Sequence, residues 1–185
     1  MTMPPAAQFE QAMLPHLGAA YNLARWLAKD ASLADDIVQD AYLRALGYFA
    51  TFRGGDARAW LLRIVRNAAY GALAARSRRA SASLEEAGLV AAGVAADGEP
   101  AVHEIADAAD DPEQALSRAE GYATLDRALA ALPEELRECL VLHELEDLSY
   151  KEIAQITGVP IGTVMSRLWR ARQALMRDQG TGGPA

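Results

Sequence analysis

SYKEIAQITGVPIGTVMSRLWRARQAL, residues Ser149 to Leu175, decides how the rest of the chain is read. Ser149-x-x-Glu152 has the spacing of a capping box, in which hydroxyl and carboxylate each satisfy a backbone N–H left bare at a helix start. The spacing predicts a short helix carrying Ile153, Ala154 and Ile156, stopped at Gly158 because glycine takes a left-handed C-cap at little cost. A second helix follows almost at once. Two helices joined by a three- to four-residue turn containing glycine are the signature of a helix-turn-helix. Wound at about 100° per residue, the second helix puts Val164, Leu168, Ala171 and Leu175 on one face and Ser166, Trp169, Arg170, Gln173 and Arg177 on the other. The apolar face is expected to pack and the arginine face to stay free.

Arginine forks onto guanine edges and onto phosphates, so a free arginine face has a plausible polyanionic target. Thr163, close to the helix start, is placed to donate to a phosphate as well. Basic helix faces are also commonly just solvated, and a generic helical hairpin shows the same glycine turn. Trp169 weighs against that blander reading, because a large aromatic facing water usually marks an interaction surface.

The basic helix sits in an acidic chain. The 185 residues carry a formal net charge of −7, with 51% hydrophobic and 23% charged residues, the profile of an ordinary globular protein. By segment the charge is +4 over residues 1–80, −9 over 81–121 and −2 over 122–185. The small, acidic, Gly- and Pro-containing stretch 81–112 lacks a helical period and reads as a linker. No apolar run reaches the roughly eighteen residues of a membrane span, and the start MTMPPAAQFE lacks the regions of a secretory signal, so a cytoplasmic protein is expected. Cys139 is the single cysteine, which excludes an internal disulfide and a cysteine-built zinc site. Cys139 and His143 fall on an apolar stripe with Leu136 and Leu140, where core packing is favoured over metal binding or redox chemistry.

The first eighty residues read as helices. Phe9 to Ala28 forms one, kinked or restarted at Pro15. Leu33, Ile37, Ala41 and Ala45 repeat every fourth residue behind Ser32-x-x-Asp35, an acidic variant of a capping box. After a break at Arg53-Gly54-Gly55-Asp56, Trp60, Ile64 and Ala68, with Leu61 and Val65 beside them, form another stripe. Further on, Leu125, Leu129 and Leu132 make a stripe that ends at Pro133. No segment alternates as a strand does. The expectation is an all-α chain of two small helical domains, 1–80 and 113–180, the second containing the helix-turn-helix, joined by the acidic linker 81–112.

At this point two stretches carry a resemblance. LSYKEIAQITGVPIGTVMSRLWRARQAL resembles the promoter-reading helix-turn-helix of bacterial sigma factors of the extracytoplasmic-function class. SLADDIVQDAYLRAL followed by FRGGDARAWLLRIVRNAA resembles that class's other conserved domain, so the likeness spans about residues 9–79 and 113–177. It implies an alternative sigma factor that binds core RNA polymerase, directs it to promoters and assists DNA melting, with an anti-sigma protein as the usual inhibitor. No catalytic residues, cofactor or metal are implied.

Carried over by position, the resemblance implies core-polymerase docking through Asp36, Gln39 and Asp40. It implies that the loop at Arg53, Gly54 and Asp56, with Asn67 on the helix behind it, captures a base flipped from the minus-ten element, while Arg58, Arg63 and Arg66 hold phosphates. It places Thr163, Ser166, Arg167, Trp169 and Arg170 against the minus-thirty-five element; Met165 stands where many members have a basic residue. On the residues alone, the polar positions of DDIVQD also fit a merely solvated helix side, and Gly54-Gly55 a plain interhelical turn. A lone helix-turn-helix regulator or response-regulator output module, and a helical interaction scaffold, are the alternatives. The first lacks a receiver domain's strands and the second leaves the arginine face unexplained.

Overall fold

A computed structural model describes residues 5–86 and 125–180, all α-helical apart from turns and short 3-10 and π segments. Most of the acidic stretch lies outside the described residues. Its first part does not behave as a linker: residues 81–86 continue the long helix that precedes them.

The first unit contains α1 (Pro5–Met13), α2 (Leu17–Ala28), α3 (Ala31–Tyr48) and α4 (Ala57–Glu86). Pro15 acts as expected, since Leu14–His16 is a 3-10 turn separating α1 from α2. Lys29 then takes a left-handed conformation (φ 57°) and closes α2 through its N–H on the Arg25 carbonyl. The cap of α3 differs from the sequence expectation. Asp30, not Ser32, is the N-cap, accepting from Leu33 N at 3.0 Å, because α2 ends so close that the chain must turn at the first acceptor available. Ile37, Ala41 and Ala45 are buried as their spacing requires, beside Ala34, Leu61, Leu62 and Val65. Alanine at three of these positions lets the backbones of α2, α3 and α4 approach closely.

The second unit contains residues 125–131, called α5, then α6 (Glu134–Leu140), a π turn (Val141–Leu145), α7 (Tyr150–Thr157) and α8 (Ile161–Gly180). Both halves of the Ser149 capping box form, with Ser149 N donating to Glu152 Oε2 at 2.7 Å and Glu152 N to Ser149 Oγ at 3.3 Å. Gly158 adopts φ 74° and its N–H closes α7 on the Ala154 carbonyl. Val164, Leu168 and Ala171 are buried and Trp169 is 64% exposed, so α8 presents the face read from its sequence.

Cys139 is fully buried and its burial pushes the thiol pKa up to about 11. With the folded pKa raised, about a thousandth of the sulfur is thiolate at pH 8. The native chain is therefore expected to resist iodoacetamide at pH 8 and to be labelled only after denaturation. Mass spectrometry checks this, and equal labelling rates for folded and denatured chain would contradict it.

The two units pack on each other, α4 against α7 and α2 against α6. Their buried apolar side chains form one continuous cluster running from Phe9 to Ala171. Polar links cross the boundary too, among them Lys29 Nζ to the Ala130 carbonyl and Asn22 Nδ2 to Glu146 Oε1 at 3.0 Å.

Candidate nucleic-acid interface

Three surfaces collect the residues singled out by sequence. The first is the exposed side of α3. Asp36 and Gln39 face solvent. Asp40 is half-buried and its carboxylate pairs with Arg44 one turn on, at 2.8 Å. The same side continues into Leu43 and Leu46, which are 65% and 48% exposed, and Tyr48 at the helix end is 58% exposed. Sequence reading missed these three. The signal was present, since Leu43 and Leu46 fall off the Ile37–Ala41–Ala45 stripe and have no partner face within the unit. An acidic and apolar helix side of this kind suits a basic partner surface with an apolar centre.

The second surface is a cleft of about 310 Å³ at the start of α4, lined among others by Arg53, Gly54, Asp56 and Arg63. Gly54 (φ 83°) and Gly55 (φ 103°) turn the chain in a conformation that side chains disfavour. Asp56 caps α4 by accepting from Ala59 N at 3.0 Å, so its carboxylate fixes the loop against the helix. The wall is aromatic: Phe52 stacks on Phe49 at 5.9 Å between ring centres and lies 5.1 Å from Trp60. Phe52 opens the loop that the resemblance assigns to base capture, whereas Trp60 was not singled out from sequence as a site residue. Trp60 was read only as part of a core stripe, yet it is half-buried and faces this cleft. A rigid loop, an aromatic wall and rim arginines provide what an unstacked nucleobase needs, a ring to stack on and cations for its phosphates.

The other residues assigned to this region separate. Asn67 is exposed, further along α4, and does not line the cleft. Arg58 and Arg66 turn away from solvent into ion pairs with Glu146 and Glu138 of the second unit. Burial raises the Glu138 carboxyl above the usual glutamate range, opposed by the Arg66 guanidinium beside it.

The third surface is the outer face of α8. Ser166, Trp169 and Arg170 are exposed and Thr163 is half-buried in the first turn. Among the described residues Arg170 hydrogen-bonds only within its own helix, with Nε 3.4 Å from the Ser166 carbonyl and Nη2 3.4 Å from Ser166 Oγ. Arg167 does not share the free face. It bonds Glu135 at 2.8 Å, its side chain is 11% exposed, and it ties α8 to α6. At the expected position Met165 is 53% exposed and forms an outward row with Ile161 and Trp169. The helix therefore offers apolar contacts as well as charge, suited to thymine methyls beside guanine edges or phosphates.

Residues 13–79 match the family Sigma-70 region 2, and residues 122–175 match Sigma-70, region 4. The chain belongs to the sigma-70 family, in its extracytoplasmic-function class. It is 39% identical to the RNA polymerase sigma-H factor of Pseudomonas aeruginosa over 79% of its own length and 72% of the relative's. With the ECF RNA polymerase sigma-E factor of Escherichia coli K12 it shares 38% identity over 84% of each chain. Among solved structures, the sigma factor RpoE of Bartonella quintana, in complex with the anti-sigma factor NepR, superposes with a TM-score of 0.73 at 27% identity, over 95% of this chain and 99% of that one.

As a sigma factor the chain directs RNA polymerase to promoters, and sigma factors are DNA-binding initiation factors. Two matched regions in this order disfavour the reading as a lone helix-turn-helix regulator. The α3 face and the cleft's lining, apart from Gln155 of α7, lie in the sigma factor's region 2, and the α8 face lies in its region 4.

Proposed function

We propose that α3 docks core RNA polymerase through Asp36, Gln39 and Asp40, with Leu43 and Leu46 completing the contact. The cleft behind Gly54 takes a flipped base of the minus-ten element, with Arg53, Arg63 and Asn67 along the path of the strand. Thr163, Ser166, Trp169 and Arg170 read the minus-thirty-five element. The chain acts in the cytoplasm and supplies no catalytic residue, leaving bond formation to the polymerase. An anti-sigma protein is the expected inhibitor, as NepR is the partner of the Bartonella relative. The observation that carries this reading is the aromatic-walled cleft, rimmed by Arg53 and Arg63 and turned by two left-handed glycines. A merely structural interhelical turn has no need of an open stacking wall.

Arg170 provides the cleanest test on the second element, because among the described residues its side chain hydrogen-bonds only within its own helix. Arg170→Ala is expected to remove about 1–3 kcal/mol of promoter interaction and to reduce initiation about tenfold, with the melting temperature unchanged. In vitro transcription from a promoter dependent on its minus-thirty-five element measures it, and undiminished initiation would contradict the assignment. Arg167→Ala is expected to behave differently, costing stability through the lost Glu135 pair.

A further inference from the structure

Two arginines assigned to the minus-ten strand are already engaged. Arg58 Nη2 lies 2.5 Å from Glu146 Oε2, and the other oxygen of Glu146 accepts from Asn22. Arg66 holds both oxygens of Glu138, Nε at 2.5 Å and Nη2 at 3.3 Å, while the Tyr70 hydroxyl sits 3.4 Å from Oε2. The Arg66 guanidinium also lies over the Tyr70 ring at 4.6 Å. Arginines, tyrosine and asparagine all come from the first unit, and both carboxylates from the second. Glu138 has no exposed surface and Glu146 is 5% exposed, so neither can be dismissed as a solvated surface pair.

We propose that Glu138 and Glu146 form an internal latch: they occupy the guanidinium groups that would otherwise hold minus-ten phosphates, and keep the free chain closed to single-stranded promoter DNA. The inference rests on the assignment of Arg58 and Arg66 to that strand. A carboxylate presents two oxygens to an arginine fork much as a phosphate does, so the acidic face of the second unit stands in for nucleic acid. Buried ion pairs add little net stability, because each charge has lost its water, but they punish any arrangement that leaves one partner alone. Parting the units rehydrates both carboxylates and frees both arginines together. The ion pairs themselves therefore favour the closed form only weakly, and what polymerase must offset to open the chain is set by the apolar contact of α4 on α7 and α2 on α6. DNA affinity of the free chain is reduced by the fraction that is closed.

The test uses the full chain with dyes at Ser32→Cys and Lys151→Cys, one exposed site on each unit, and a short fluorescein-labelled single-stranded DNA of mixed sequence. Glu138→Gln with Glu146→Gln is expected to lengthen the inter-dye distance and tighten DNA binding about tenfold at low salt, with helix content unchanged. Arg58→Glu alone is expected to lengthen the distance, and adding Glu146→Arg to shorten it again. That recovery separates a latch from general destabilisation and keeps the proposal open to refutation if the glutamine variant folds poorly. An unchanged distance in the glutamine variant, no recovery in the swapped pair, or opening without tighter DNA binding would each overturn the proposal. Whether the arginines hold DNA at all is read separately: Arg58→Ala with Arg66→Ala, assembled with core polymerase, slows promoter opening if that assignment is right, whatever becomes of the latch.

Discussion

Replacing Arg137 with alanine is expected to destabilise the fold by about 3–5 kcal/mol and lower the melting temperature by about 10 °C. Arg137 has no exposed surface, and burial depresses its pKa. Its Nη1 donates to the Ala130 carbonyl at 3.0 Å and the Leu132 carbonyl at 3.2 Å, serving the chain where α5 gives way to α6. Nε and Nη2 are buried with no hydrogen-bond partner among the described residues. Arg137 is thus a costly charge kept in place by the carbonyls it satisfies and the volume it fills. Alanine leaves a cavity and an unpaired Leu132 carbonyl. Arg137→Leu fills most of the cavity and removes the unpaired donors, so it is expected to lose less than half as much. Thermal unfolding followed by circular dichroism measures both, and a fall under about 1 kcal/mol for alanine would show that the guanidinium has no structural role.

Reversing charge on α3 is expected to give the largest functional effect. Asp36→Lys with Asp40→Lys places two cations against the basic surface that the proposed docking requires, and affinity for core polymerase is expected to fall about a hundredfold. The fold has little to lose: Asp36 is exposed, and the Asp40–Arg44 pair is a surface i,i+4 contact that contributes about 0.5 kcal/mol at most. Asn67→Ala is the informative contrast, since Asn67 lies on α4 away from that face and is expected to leave core binding intact while slowing promoter opening. Equal loss of core affinity in the α3 and Asn67 variants would overturn the separation of docking from DNA reading.

The helix-turn-helix was legible because its determinants are local. A capping box, a left-handed glycine and a 3.6-residue apolar stripe each act within a few residues of themselves, and Ser149, Gly158 and Val164 take the predicted roles. The cap at Asp30 was not, because the choice between two acceptors depended on how near α2 ends. The cleft was half legible. Gly54-Gly55 and the arginines stood out by residue type, whereas Trp60 looked like core until its face was known. Arg58 and Arg66 could not be distinguished from Arg53 and Arg63 by sequence. Their partners lie 88 and 72 residues away, a separation that leaves no periodic trace. The same holds for Arg167, whose carboxylate partner is 32 residues distant.

Mapping transcription start sites made by core polymerase on fragments of the native genome, with and without the purified chain, tests the central claim most directly. The account predicts new start sites that appear only with the chain, share two upstream sequence elements, and are lost with Asp36→Lys/Asp40→Lys or Arg170→Ala. Start sites identical to those of core polymerase alone would contradict it.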